Sequence, residues 1–177
     1  KAVLQRYGLD EGEKRARFSS MLVSYYRSQA LLSQRKLAEY PYHLEVIGAK
    51  DLMKEFLMGI EVFVALYTDA QKLEFLRFCS MAGDKSAIAA SYRQAVKGRP
   101  RTTELRSLLM KLSAFHSDVG DIQNAMSLMT EALAVTRELA RGAENWEVAD
   151  AMHELGMLLL QGGKVSEAAL IARNAYE

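Results

Sequence analysis

The sequence is poor in the residues that cross-link, break or anchor a chain. Of its 177 residues one is cysteine, two are proline and one is tryptophan. A lone thiol, Cys79, excludes an internal disulfide and fits a reducing compartment; among Phe75, Phe78 and Met81 it reads as a buried structural group, not a nucleophile. No apolar run approaches the ~18 residues of a membrane span. No charged-then-apolar leader opens the chain, so no signal peptide is expected. The chain starts at Lys1 and ends within a helical pattern at Tyr176, and it is expected to be a segment of a longer cytoplasmic protein. Low-complexity tracts are missing too. Half the residues are apolar and a quarter charged, which is an ordinary globular composition able to bury a core.

The net charge of +1 covers a local asymmetry. Residues 1–50 hold nine Lys/Arg (positions 1, 6, 14, 15, 17, 27, 35, 36 and 50) against five Asp/Glu (10, 11, 13, 39 and 45), about +4 locally. Such a cluster reads either as a solvated helix face or as a weak site for an anionic partner.

Pro41 and Pro100 interrupt a chain rich in Leu, Ala, Met, Glu and Lys, which favours helix almost throughout. Over residues 12–32 the spacing of Phe18, Met21, Leu22, Tyr25, Gln29 and Leu32 predicts a helix with that stripe facing a core and Asp10 as its cap. Ser33 is expected to cap a second helix through Leu37, Tyr40, Leu44 and Ile47, ending at Gly48, and residues 51–58 form a third. "IEVFVALY" (residues 60–67) has strand-like residues, yet helix is expected, because a lone strand would leave its ladder groups unpaired. From Thr68 onward, helices of about 14 to 19 residues should alternate with turns at Gly83-Asp84, Gly98-Arg99-Pro100, Gly120-Asp121, Gly142 and Gly162-Gly163.

Within that region lies an internal repeat with a 43-residue offset. One copy reads Leu109, Leu112, Ser113, His116, a turn at Gly120, then Ala125, Met129 and Ala132; the other reads Met152, Leu155, Gly156, Leu159, a turn at Gly163, then Ala168, Ala172 and Ala175. These are the slots of a tetratricopeptide repeat, in which small residues let two helices approach and larger ones fill the gap between hairpins. Leu109 and Met152 replace the signature tryptophan, and Ala172 is undersized for its slot. A degenerate earlier copy places Phe75, Cys79, Gly83, Ile88, Tyr92 and Ala95 at an offset of 37 residues.

"QGGKVSEA" carries the Gly-Lys step of a phosphate loop but lacks its other parts. The loop G-x4-G-K-[ST] needs a first glycine where Leu158 stands and a hydroxyl where Val165 stands. It therefore reads as a hairpin turn. His43, His116 and His153 fall on separate helices without a His or Cys at i±3 or i±4, so no metal site is expected. His116 occupies a packing slot of the repeat, and Glu144 and Glu147 read as helix-start residues favoured by the dipole. With no G-x-S-x-G, H-E-x-x-H or Cys/His arrangement, neither catalytic residues nor a cofactor are expected.

The first helix of each hairpin lines the concave face of such arrays, where partners dock. On the first copy this line is Ser107, Met110, Ala114 and Ser117; on the second it is Asp150, His153, Met157 and Leu160. Its chemistry suits an apolar or amphipathic peptide or helix with a basic group near Asp150 and Glu154. Packing of the same lines against another part of a parent protein is the alternative.

The last 75 or so residues resemble the repeats of tetratricopeptide proteins of the nephrocystin and kinesin-light-chain type. Upstream, "EYPYHL" (residues 39–44) and "LEFLRFCSMAGDKSAIAASYRQAV" (residues 73–96) resemble the helical arm that follows a NACHT-type ATPase module in that group. The resemblance implies that nucleotide chemistry resides in a module outside this chain and that no catalytic residue carries over. It also implies a cilium-associated setting if the nephrocystin likeness holds.

The fold expected is all-α, a right-handed α-solenoid of antiparallel helical hairpins, with a helical arm over residues 1–68 and tetratricopeptide-like hairpins over residues 69–177, the last truncated. A non-enzymatic protein-interaction scaffold is expected. The alternatives are an intramolecular spacer or regulatory arm of a signalling ATPase, and RNA or anionic-membrane binding through the basic N-terminal segment.

Overall fold

The computed structural model describes residues 12–141 and 145–176, and these fold into ten α-helices joined by short turns. In order they are α1 (Gly12–Ser28), α2 (Gln34–Val46), α3 (Lys50–Leu57), α4 (Ile60–Leu66), α5 (Lys72–Ala82), α6 (Lys85–Val96), α7 (Thr103–Asp118), α8 (Ile122–Leu139), α9 (Trp146–Gln161) and α10 (Val165–Tyr176). The β-branched segment after Gly59 is helical, as α4. The expected Asp10 cap, the Gly142 turn and the helix-start residue Glu144 lie outside the described residues. The chain divides into two compact units, residues 1–91 and 92–177.

In the first unit α1 packs on α2, α2 on α3 and α4, and α3 on α4 and α5. Ser33 caps α2 by accepting from the Lys36 N–H at 3.1 Å. Pro41 sits inside α2, and its ring is buried. Aromatic side chains fill the interior edge to face: Tyr26 against Tyr40 with centroids 6.1 Å apart, Tyr40 against Phe56 at 5.1 Å, and Phe63 against Phe75 at 5.9 Å.

Helix α1 is rotated from the orientation its apolar stripe predicts. Met21 and Tyr25 are 66% and 55% exposed and Phe18 is also exposed, whereas Ser19, Val23 and Tyr26 are buried. The reason is polar. Ser19 Oγ lies 3.2 Å from His43 Nδ1 of α2, and the Tyr26 hydroxyl donates to Glu39 of α2. Breaking these bonds to bury Phe18 and Met21 instead would strand partly buried polar groups, a cost of about 1–3 kcal/mol for each.

In the second unit α7 packs on α8, α8 on α9, and α9 on α10. Each cap follows from a short polar residue before its helix. Thr102 accepts from Leu105 N–H at 3.3 Å, Asp121 from Asn124 N–H at 3.3 Å and Asn145 from Val148 N–H at 3.0 Å. The two repeat copies end their first helices identically. Gly120 N–H donates to Ser117 O and Asp121 N–H to His116 O; 43 residues on, Gly163 N–H donates to Leu160 O and Lys164 N–H to Leu159 O. This is the Schellman closure, which needs a left-handed residue, and Gly120 and Gly163 supply it at φ +85° and +74°. The "QGGK" segment is thus a helix end, with the Lys164 ammonium 3.2 Å from Glu167. The core between these helices is Leu109, Leu112, Phe115, Ala125, Leu128, Ala132, Val148, Ala151 and Met152, all 1% exposed or less.

Candidate functional site

Helix α7 directs Leu105, Leu108, Leu109, Leu112 and Phe115 into the core. Its other flank therefore carries Ser107 and Ala114 exposed and Met110 and Ser117 half-buried. Helix α9 buries Val148, Ala151, Met152, Leu155, Leu158 and Leu159 and leaves Asp150, His153, Met157 and Leu160 exposed. Helical periodicity alone produces this split, because the outward lines fall at i, i+3, i+7 beside the core positions.

A groove of about 280 Å³ runs between α7 and α9. Met110, Ala114 and Ser117 line one side and Asp150 and Met157 the other, over a floor that includes Ser113 and Met129. Asp118 and Glu154 join Asp150 in giving the groove acidic edges. Ser117 Oγ donates to Gln161 Oε1 at 3.1 Å and ties the two walls together at one end. The floor is held by Ser113, whose buried hydroxyl donates to Ala125 O of α8 at 2.8 Å.

Not every expected residue falls in that groove. Ser107 lies outside it, on exposed surface. His153 and Leu160 line a larger groove of about 630 Å³ between α9 and α10, shared with Asp150 and Met157. Trp146, Val165, Ala169 and Ala172 complete this second groove, and sequence reading did not assign them. One signal for it was present: Ala172 is too small for its slot, and it leaves space where Met129 fills the first copy.

Several polar groups away from the grooves are tied into the fold, although Arg106 Nε and His116 Nε2 are buried without a hydrogen-bond partner. His116 is buried, with Nδ1 3.0 Å from Asp121 Oδ2 across the Gly120 turn. Burial pushes the Asp121 carboxyl upward, but hydrogen bonds from Asn124 and His116 outweigh it and hold the group below its ordinary range. Asn124 donates to Asp121 at 2.8 Å and accepts from Arg93 at 2.8 Å, so the turn is one connected network. In the first unit, burial lowers the pKa of His43, opposed by the nearby Glu39 carboxylate. Cys79 is buried, and desolvation pushes its thiol up to about 12. Among the described residues no group of three His, Cys, Asp or Glu is arranged to hold a metal ion, and no helix is long and apolar enough to cross a membrane.

Comparison with known proteins finds distant similarity over most of the chain. Nephrocystin-3 of Xenopus laevis is 26% identical over 149 residues, which cover 80% of this chain and 11% of that protein. Nephrocystin-3 of Xenopus tropicalis is 24% identical over 169 residues, covering 89% of this chain and 13% of that protein. The chain thus spans a small fraction of the length of these curated relatives. No family model matches it. No solved structure matches it either.

Proposed function

We propose that this chain is a non-catalytic protein-interaction segment whose tetratricopeptide-like hairpins form part of a right-handed solenoid and hold a peptide or helix on the concave face. The observation that carries the reading is the α7–α9 groove, where Met110, Ala114 and Met157 offer apolar contact between acidic edges at Asp118, Asp150 and Glu154. The repeated helix ends and the likeness to nephrocystin-3 support the repeat architecture. A groove already shaped between two packed helices binds with little backbone ordering cost. Its acidic rim selects a partner with lysine or arginine flanking an apolar stripe.

The test is fluorescence anisotropy with a panel of amphipathic helical peptides of equal hydrophobicity and opposite net charge. The basic members should bind, and Met110→Lys with Ala114→Lys should abolish that binding in a chain of unchanged helicity. Equal binding of acidic and basic peptides, or binding that survives both substitutions, contradicts the reading.

A second reading has one observation in its favour. Helix α1 exposes Phe18, Met21 and Tyr25 on the segment that also bears Lys14, Arg15 and Arg17, a combination suited to RNA or an anionic membrane surface. Binding through that face would fall steeply with rising salt. It would be untouched by the substitutions on α7.

A further inference from the structure

We propose that the α7–α9 groove is a socket for one arginine side chain of the partner, an inference that rests on the docking reading above and names the anchor that reading leaves open. The lining accepts hydrogen bonds far more than it donates them. Two of its hydroxyl protons are already committed: Ser113 Oγ donates to Ala125 O at 2.8 Å and Ser117 Oγ to Gln161 Oε1 at 3.1 Å. Among the described residues, no lysine, arginine or histidine lines the groove. Carboxylates at Asp118, Asp150 and Glu154 and thioethers at Met110, Met129 and Met157 do. Apart from the Gln161 amide, the side chains of the walls therefore offer acceptors. A side chain that only donates matches such a lining, which restricts the anchor to lysine or arginine.

Geometry and desolvation separate those two. The acids stand on both walls, Asp118 on α7 and Asp150 and Glu154, one turn apart, on α9. A planar guanidinium carries five N–H groups in a fixed fork and can address both walls at once, whereas an ammonium is a compact, strongly hydrated point charge. The apolar lining favours the same choice. Arginine rests on methionine sulfur twice within this chain: Arg137 donates to Met152 Sδ at 3.5 Å and Arg77 to Met81 Sδ at 3.7 Å. In the groove Met110, Met129 and Met157 offer that contact to an incoming guanidinium, and Ala114 leaves room for the aliphatic stem beside them. Size agrees as well. At about 280 Å³ the groove falls just under the ~300–1,000 Å³ of small-molecule pockets, so it takes one long side chain and leaves the rest of the partner outside.

The experiment is isothermal titration calorimetry of the full chain with amphipathic helical peptides flanked by lysines, a single arginine being placed in turn at each position of the apolar stripe. The tightest of these is then remade with lysine, citrulline or norleucine at the arginine position, all of matched helicity. Lysine, which keeps the charge and loses the fork, should weaken binding by about tenfold. Citrulline, which keeps the shape and loses the charge, and norleucine, which keeps only the stem, should weaken it by about thirtyfold or more. Asp150→Asn with Glu154→Gln lies on the exposed face of α9, and circular dichroism checks that helicity is kept. This double variant should bind the arginine and norleucine peptides alike.

Equal binding of the arginine, lysine, citrulline and norleucine peptides overturns the socket and leaves the docking reading standing. Lysine as good as arginine also overturns it, by showing that charge alone is read at the rim. So does a preference for arginine that survives Asp150→Asn with Glu154→Gln, because the anchor would then sit elsewhere. If no peptide of the set binds, the socket and the docking reading fall together.

Discussion

Ser19 Oγ of α1 and His43 Nδ1 of α2 lie 3.2 Å apart in the interior of the first unit, and this pair, with Tyr26 on Glu39, sets which face of α1 is buried. The most apolar face of α1 is therefore left outside.

The same pair makes the first unit sensitive to mild acid. Burial holds the His43 pKa below its ordinary value of 6.5, so the fold favours the neutral ring. Above pH 6.5 the ring is neutral in both states and carries no penalty. As pH falls through 6.5 the unfolded chain takes up a proton that the folded chain refuses, and stability drops until the lower folded pKa is reached. Urea unfolding between pH 7.5 and 5.5 should show this loss, and His43→Gln should flatten it. An unchanged slope in His43→Gln would assign the effect to another group.

Two glycines of the second repeat copy should respond oppositely to alanine. Gly156 lies inside α9, and a Cβ there would meet Ile171 at an ordinary 3.9 Å, so Gly156→Ala should stabilise by up to about 1 kcal/mol through helix propensity. Gly163 sits at φ +74°, where an L side chain is strained, so Gly163→Ala should destabilise by about 1 kcal/mol. Chemical denaturation of both variants checks the pair. A stabilising Gly163→Ala would refute the helix-end account of "QGGK".

Cys79 should be inert in the folded protein. Its thiol is buried and pushed up to about 12, so almost no thiolate exists at neutral pH. An aromatic disulfide reagent should label it only at the rate of unfolding, and labelling should become immediate in denaturant. Fast labelling of the native chain would show that this core opens readily.

How much of this was legible in the sequence depends on which forces decide each feature. The repeat was readable because Leu112 and Leu155, Ala125 and Ala168, and Gly120 and Gly163 play the same packing and turn roles 43 residues apart. The helical state of α4 was also readable, because a lone strand would have left its ladder groups unpaired. The rotation of α1 was not readable, because Ser19 and Tyr26 find their partners 24 and 13 residues away, and hydrophobic periodicity ignores such bonds. Nor was the divided role of the α9 line. Asp150 and Met157 face α7, but whether His153 and Leu160 join them depends on the alanines of α10, which open a second groove on their side.

The methionines can report directly on a partner docked between α7 and α9. Of the nine, Met110 and Met157 line the groove, Met53 is buried in the first unit and Met21 is exposed on α1. The decisive measurement is a methionine-methyl NMR titration with a basic amphipathic helical peptide. Shifts at Met110 and Met157, with Met53 and Met21 unmoved, are the predicted result; a silent Met110 with a moving Met21 would contradict it and place binding on α1.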